Sequence, residues 1–136
     1  MKRGTEHLIV VVLAAGIGRR MRSKHPKVLH RVAGRPMIQY GVNLAKDLEA
    51  ERILVVIGHL KEQVRTFLAG EIRDRKIEVV VQDTLSGTGH AVQMTTPLLT
   101  HYHGTVMILN GDHPLLKAET ASALLQAHRA QEAAKG

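Results

Sequence analysis

The chain has 136 residues, of which 44% are hydrophobic and 2% aromatic, and it contains no cysteine. A domain of this length buries roughly two-thirds of its unfolded surface, so one self-sufficient core is expected. Without cysteine the chain can form neither disulfides nor thiolate metal sites, which favours a reducing cytoplasm. Its aromatic side chains are too few for a base-stacking platform. The sequence contains no apolar run of the roughly 18 to 20 residues that span a membrane.

The net charge of +7 arises from one segment. Lys and Arg number 19 against 12 Asp and Glu, and residues 19–35 hold seven basic residues and no acidic one. The seven are Arg19, Arg20, Arg22, Lys24, Lys27, Arg31 and Arg35. Together with Gly16 and Gly18 they predict a small polyphosphate ligand, because glycine lets backbone N–H groups approach oxygens that the cations neutralise. A solvated basic face, or a role in binding a long polyanion, is the alternative.

Apolar periodicity predicts four strands that alternate with four helices. The predicted strands cover 7–13, 53–57, 77–81 and 106–109. The predicted helices cover the region of Met37, Gly41 and Leu44, then 60–68, 90–99 and 118–133. In the last helix, the residues expected to share one face are Ala121, Leu124, Leu125 and His128. Four strand–helix units with right-handed crossovers predict an α/β fold, a Rossmann-like three-layer sandwich with a mostly parallel sheet.

The connection between the first strand and the first helix is unusually long. Residues 17–35 show no periodicity, and connections beyond about 12 to 15 residues are usually functional or disordered. In the commonest doubly wound order the first strand lies beside the fourth, and ligands bind beyond their carboxyl ends. The basic loop should then face residues 110–112. A basic loop opposite the carboxylate of Asp112 predicts a nucleotide bridged by magnesium, Mg²⁺, with a helix cap as the alternative role of Asp112.

Three sequence motifs carry a family resemblance. The first is LAAGIGRRM at 13–21 with PKVLH at 26–30, the second is Gln82 with SGTGHA at 86–91, and the third is NGDHPL at 110–115. The first motif resembles the opening of sugar-1-phosphate nucleotidyltransferases in general. The three in order resemble the uridylyltransferase domain of bifunctional N-acetylglucosamine-1-phosphate uridyltransferases.

The resemblance implies a role for each matching residue. It implies that Arg20 and Lys27 are catalytic and stabilise the triphosphate and the departing pyrophosphate, and that Asp112 binds Mg²⁺. The residues implied in nucleotide binding are Leu13, Ala14, Ala15, Gly16, Gly18, Lys27, Gln82, Gly87, Thr88 and Gly111. The Gln82 amide carries the donor and the acceptor that the edge of uracil requires, and Thr88 adds a hydroxyl or caps the next helix.

The reaction that the resemblance implies is in-line transfer of UMP from UTP to a sugar-1-phosphate, with release of pyrophosphate. It needs no general base, because the attacking phosphate is already ionised. A guanylyl-, cytidylyl- or thymidylyltransferase is the nearest alternative. A non-catalytic nucleotide-binding module is the alternative from another class.

The family's uridylyltransferase domain continues past the part that residues 1–136 match. We therefore predict one domain, 1–136, that is the nucleotide-binding half of a nucleotidyltransferase domain. The expected partners are UTP and a sugar-1-phosphate, with no nucleic acid and no membrane span. A sheet without the family's further strands has an unpaired edge, so we also expect either self-association or a C-terminal half that completes the sheet.

Overall fold

The computed structural model describes residues 7–16, 26–84 and 86–135. The strands in these ranges are β1 (Leu8–Ala14), β2 (Arg31–Val32), β3 (Arg35–Pro36), β4 (Arg52–Ile57), β5 (Glu78–Val81) and β6 (Thr105–Asn110). The α-helices are α1 (Met37–Asp47), α2 (Lys61–Phe67), α3 (Ala69–Arg73), α4 (Thr88–Gln93), α5 (Thr96–Leu99) and α6 (Ala118–Ala134). A turn of 3₁₀ helix covers Lys27–Leu29. Within the described ranges, no helix is long and apolar enough to cross a membrane.

The main sheet is parallel and has β1 inside it. Its four strands lie in the order β5-β4-β1-β6, and each neighbouring pair is parallel. The register places Leu13 beside Val56 of β4 and Asn110 of β6. The predicted neighbourhood of the first and fourth strands of the alternating pattern is therefore confirmed. Because all four strands run the same way, the segments that follow them meet at one edge of the sheet.

Both faces of the sheet are covered, which explains the unbroken apolar sequence of β1. Alternate strand residues point to opposite faces, and β-branched side chains suit a pleated, covered surface. One cluster of buried side chains combines β1 with α1, α2 and α6, through Val10, Val12, Ile38, Val42, Val64, Ala121 and Leu125. The cluster on the other face joins Ile9 and Val11 to Ala91 of α4. The predicted α/β fold with helices on both faces of a mostly parallel sheet is confirmed.

The single helix expected over 90–99 is wrong, because two short helices occupy that region. Met94 is the C-cap of α4, and α5 begins at Thr96 with Pro97 in its first turn. Proline has no backbone N–H and clashes with the preceding turn, so a continuous helix cannot pass through it. At the break, the buried Thr95 hydroxyl donates to the carbonyl of Val92 at 2.6 Å.

The last helix buries a narrower face than its sequence pattern indicates. Ala121 and Leu125 are 1% and 6% exposed, as expected. Leu124 is 65% exposed and His128 is also exposed, so this part of the prediction is wrong. The helix packs along the i, i+4 line through Ala121 and Leu125, and a step of one residue rotates a side chain by about 100° away from that line.

Residues 26–35 are more ordered than the unstructured connection that the sequence suggests. The 3₁₀ turn is followed by an antiparallel pair, β2 with β3. Arg31 donates to the carbonyl of Gly34 at 2.7 Å, and the Arg35 guanidinium lies 5.6 Å from the centre of the Tyr40 ring. These two cations therefore contact the hairpin and α1. Of the other expected loop cations, Lys27 lies in the 3₁₀ turn, and Arg19, Arg20, Arg22 and Lys24 lie outside the described residues.

Candidate nucleotide-binding site

A cleft of about 240 Å³ opens at the carboxyl edge of the parallel sheet. Its lining comes from the ends of β1, β5 and β6, from the 3₁₀ turn and from the start of α4. The predicted site residues in this lining are Leu13, Ala15, Gly16, Lys27, Gln82, Gly87, Thr88 and Asp112. The fold therefore brings most of the predicted residues that the structure describes to one place.

Two predicted residues, Ala14 and Gly111, lie beside the cleft rather than in its lining. Ala14 is 2% exposed in the core. The N–H of Gly111 donates to the carbonyl of Leu13 at 2.8 Å. A Cβ at Gly111 would lie 2.8 Å from that same carbonyl oxygen and 3.3 Å from Val28 Cγ1, so glycine permits the close approach. This approach places Asp112 next to the end of β1. Gly18 and Arg20 lie outside the described residues.

Lys27 is positioned by buried neighbours on either side. Pro26 is buried, and Val28 packs in the larger core cluster. The turn between them closes through a hydrogen bond from the N–H of Leu29 to the carbonyl of Pro26 at 3.0 Å. The Lys27 side chain is 36% exposed and lines the cleft. The alternation of apolar and basic residues thus fixes the backbone while it leaves the Lys27 side chain at the cleft.

Lys27 and Asp112 form an ion pair across the cleft. The Lys27 ammonium donates to Asp112 Oδ2 at 3.1 Å, and His113 Nε2 lies 3.7 Å from Asp112 Oδ1. The carboxylate is about one-third exposed. In the part of the chain that the structure describes, no three candidate ligands cluster as a metal site. A single carboxylate in a cleft suits Mg²⁺, which typically binds one or two carboxylates and takes its other ligands from phosphate and water.

Gln82 is held in the cleft by three contacts. Its side chain is buried, and its backbone N–H donates to the carbonyl of Ile57 at 2.8 Å, one residue past the end of β5. Its amide nitrogen Nε2 donates to the carbonyl of Gly87 at 3.2 Å and lies 2.8 Å from His90 Nδ1. Both amide hydrogens are thus used within the protein. Of the donor and the acceptor that the sequence suggests for base recognition, only the acceptor Oε1 has no hydrogen-bond partner among the described residues.

Gly87 supplies the backbone geometry at the start of α4. Its φ of 91° lies in a region that residues with a side chain rarely adopt. It is the N-cap of α4, and no side chain caps the helix there. Thr88 is exposed in the first turn and lines the cleft, so the helix-capping alternative for its hydroxyl does not hold.

Three residues in the cleft lining were not among the predicted site residues: Val28, Ala91 and Asn110, of which Asn110 was expected only as part of the segment 110–112 that faces the basic loop. Asn110 is the polar residue that ends β6, in register with Leu13, and this position is the signal that could have identified it. Val28 and Ala91 belong to the two core clusters and reach the cleft by packing. Apolar side chains of this kind carry no sequence signal that separates lining from core.

A parallel sheet with a polar cleft beyond the carboxyl ends of its strands is the architecture of a nucleotide-binding α/β domain. The chain belongs to the family of MobA-like NTP transferase domains, whose sequence model matches residues 10–135. The resemblance to nucleotidyltransferases is thereby confirmed.

The chain is similar to curated proteins named "Bifunctional protein GlmU". It is 44% identical over 134 residues to the protein of Anaeromyxobacter sp. (strain K), covering 98% of the chain and 28% of that relative. The identity to the protein of Thermoanaerobacter pseudethanolicus is 41% over 123 residues, which cover 90% of the chain and 26% of that relative. The identity to the protein of Corynebacterium glutamicum is 46% over 121 residues, which cover 88% of the chain and 25% of that relative. The chain thus spans about a quarter of the length of these relatives.

Solved structures of nucleotidyltransferases share the fold. A putative glucose-1-phosphate thymidylyltransferase from Bacillus anthracis superimposes with a TM-score of 0.74 at 20% identity, covering 89% of this chain and 50% of that one. A UDP-glucose pyrophosphorylase in complex with UDP-glucose gives a TM-score of 0.69 at 22% identity, covering 90% and 54%. At these identities the likeness shows a common fold.

Proposed function

We propose that this chain is the nucleotide-binding part of an enzyme that transfers UMP from UTP to N-acetylglucosamine-1-phosphate, forming UDP-N-acetylglucosamine and pyrophosphate. The observation that carries the proposal is the convergence of Lys27, Gln82 and Asp112 on one cleft, although they lie far apart in sequence. The resemblance of the three motifs to bifunctional N-acetylglucosamine-1-phosphate uridyltransferases suggests the acceptor sugar. We place the reaction in the cytoplasm, in line with a chain that has no cysteine.

Lys27 is the described cation best placed to bind a triphosphate. It lines the cleft, whereas Arg31 and Arg35 contact the hairpin and α1. An ammonium group is a compact charge with three donors and suits phosphate oxygens. Negative charge grows on the departing pyrophosphate during transfer, so a fixed cation there stabilises the transition state. The resemblance assigns Arg20 to the same task.

Asp112 is the residue that would hold Mg²⁺, together with oxygens of the triphosphate. When bound, the ion supplies charge neutralisation and polarises the phosphate that is attacked. The ion pair with Lys27 ties up one oxygen of this carboxylate. Triphosphate offers Lys27 a more highly charged partner, so binding of the nucleotide would release Asp112 for the metal.

The chemistry needs positioning and electrostatics more than a nucleophilic side chain. The attacking sugar-1-phosphate oxygen is already ionised, the new bond forms at the α-phosphorus, and the bond to the pyrophosphate breaks in line with it. Holding the reacting groups in this geometry contributes about 7 to 11 kcal/mol to catalysis. The cation and the carboxylate of the cleft serve this task without a general base.

The uridine assignment can be tested by ligand-induced changes in melting temperature. UTP, CTP, GTP and dTTP are compared, each with Mg²⁺, and a ligand at 100 times its Kd stabilises the fold by about 2.7 kcal/mol. We expect the largest rise with UTP. Gln82→Ala should abolish the preference for UTP over CTP, while Gln93→Ala, on the exposed side of α4, should keep it. Equal rises with all four nucleotides would contradict the assignment.

Transfer itself is measured as pyrophosphate released from UTP in the presence of a sugar-1-phosphate. N-acetylglucosamine-1-phosphate and glucose-1-phosphate are compared as acceptors, and Asp112→Asn is the negative control. Release that depends on N-acetylglucosamine-1-phosphate supports the proposal. Binding of UTP without release from any acceptor would favour the nucleotide-binding module as the function of this chain.

A further inference from the structure

The contact between Gln82 and the Gly87 carbonyl determines which way the Gln82 amide faces. The atom that lies 3.2 Å from the carbonyl oxygen of Gly87 must be the amide nitrogen, because that carbonyl can only accept a hydrogen bond. The reverse orientation would set two acceptors against each other. The second hydrogen of the same nitrogen points to His90 Nδ1 at 2.8 Å.

His90 must therefore accept at Nδ1. A neutral imidazole accepts at one nitrogen and carries its proton on the other, so the His90 proton resides on Nε2. With its nitrogen bound to the Gly87 carbonyl and to His90 Nδ1, the buried Gln82 side chain can offer a ligand only the acceptor Oε1. A glutamine free to rotate its amide could offer either a donor or an acceptor.

We propose that His90 is a positioning residue for base selection: together with the Gly87 carbonyl it holds Gln82 so that the cleft accepts bases with an imino N–H and disfavours cytosine. This inference rests on the proposed nucleotide-binding function. Uracil, thymine and guanine each carry an N–H on the edge that Oε1 would meet. Cytosine has a lone pair at the corresponding nitrogen, and two acceptors facing each other leave a buried polar group unsatisfied. The ligand class is thus a nucleoside triphosphate whose base carries an imino N–H.

Replacement of His90 tests the proposal through a ratio of affinities. His90→Leu removes one of the two acceptors that hold the Gln82 nitrogen and leaves the Gly87 carbonyl as the other, so the amide is held less firmly in this orientation. His90→Asn keeps a neutral acceptor, Oδ1, near the position of Nδ1. The full chain is titrated with UTP, CTP and dTTP, each with Mg²⁺. We expect His90→Leu to lower the preference for UTP over CTP by about 2- to 12-fold, the effect of one neutral hydrogen bond on an equilibrium.

Two comparisons separate positioning from loss of structure. The preference for UTP over dTTP should stay unchanged in His90→Leu, because both bases carry the same N–H, and His90→Asn should retain the preference for UTP over CTP. The proposal is overturned if His90→Leu leaves the UTP to CTP ratio unchanged, or if His90→Asn lowers it equally.

Nitrogen NMR of the free protein tests the contact without any nucleotide. For neutral His90 we expect an unprotonated signal at Nδ1 and a protonated signal at Nε2, and a proton at Nδ1 would overturn the proposal. A chain that shows the expected tautomer but binds none of the nucleotides would refute the proposed function and leave the Gln82 orientation intact. A chain that binds UTP and CTP equally would refute the base selection alone.

Discussion

Replacing Lys27 by methionine should weaken triphosphate binding strongly and fold stability little. The variant keeps an unbranched apolar stem and removes the ammonium group that lies 3.1 Å from Asp112 Oδ2. Both side chains of the pair are about one-third exposed, so water screens their attraction. Such pairs contribute about 0 to 1 kcal/mol to stability. For a chain of this size, that loss lowers the melting temperature by about 5 °C at most.

The expected loss of UTP affinity is larger, because Lys27 would then bind charged oxygens directly. Hydrogen bonds to charged groups contribute about 1.5 to 3 kcal/mol, which corresponds to about a 10- to 150-fold higher Kd for UTP. Isothermal titration calorimetry measures the Kd, and calorimetric melting of the unliganded protein measures the stability. The two readouts separate a ligand contact from a structural one.

Lys46→Met is the matched control. Lys46 is also a partly exposed lysine with a carboxylate partner, Glu71, and it lies on α1 outside the cleft lining. The control removes the same unit of charge, so any general electrostatic effect on UTP binding appears in both variants. If Lys27→Met binds UTP as tightly as Lys46→Met does, the phosphate role of Lys27 is wrong.

Three further predictions concern stability and assembly. Gly111→Ala should lower the free energy of unfolding by about 1 to 3 kcal/mol through overpacking, since its Cβ would lie 2.8 Å from the Leu13 carbonyl oxygen. Gly16→Ala is the control, because its Cβ would meet nothing within 4 Å. Equal stability of the two variants in chemical denaturation would contradict this prediction. The hydrogen bond from Arg52 lowers the pKa of the Glu78 carboxyl. At this partly exposed site the ion pair stabilises the fold by on the order of 1 kcal/mol or less. This stabilisation is present above the pKa of unfolded Glu, about 4.3, and is lost as the pH falls through the lower pKa of the folded state. Glu78→Gln should lack that acid-dependent loss, and a variant that keeps it would refute the assignment. Ile108 on the edge strand β6 is 47% exposed, and an exposed apolar edge favours self-association. We expect the molecular mass from light scattering to rise with protein concentration and Ile108→Lys to suppress the rise. A wild-type protein that stays monomeric at all concentrations would refute self-association.

The main features of the fold and much of the candidate site were predictable from local sequence. Continuous β-branched runs indicated strands covered on both faces, and their alternation with helical periods indicated a parallel sheet. Lys27 stood out as a member of the basic loop beside proline, and Asp112 because it follows a buried strand, where polar residues are placed for ligand binding. Gln82 was identified through the family resemblance. Pro97 is a local signal for the break between α4 and α5 that the apolar pattern of 90–99 does not reflect.

Other features depend on contacts between distant segments. The sequence carries seven cations in one run, but only pairing of β2 with β3 decides that Arg31 and Arg35 turn away from the cleft. Leu124 fits a helical face as well as Leu125 does, and only the angle at which α6 meets the sheet exposes one and buries the other. Periodicity specifies which residues share a face and does not specify where a neighbour contacts that face.

The sequence by itself determined the four strands of the main sheet, their order along the chain and the chemical groups of the candidate site, because apolar period and residue type are local properties. Tertiary structure alone decided that Gln82 retains an acceptor for a ligand, since its two donors meet the Gly87 carbonyl and His90 Nδ1. It also decided that Lys27 meets Asp112 across 85 residues of sequence separation. The parallel register of β1 with β6 brings those two side chains together, and the backbone hydrogen bonds that set this register form only when the sheet assembles.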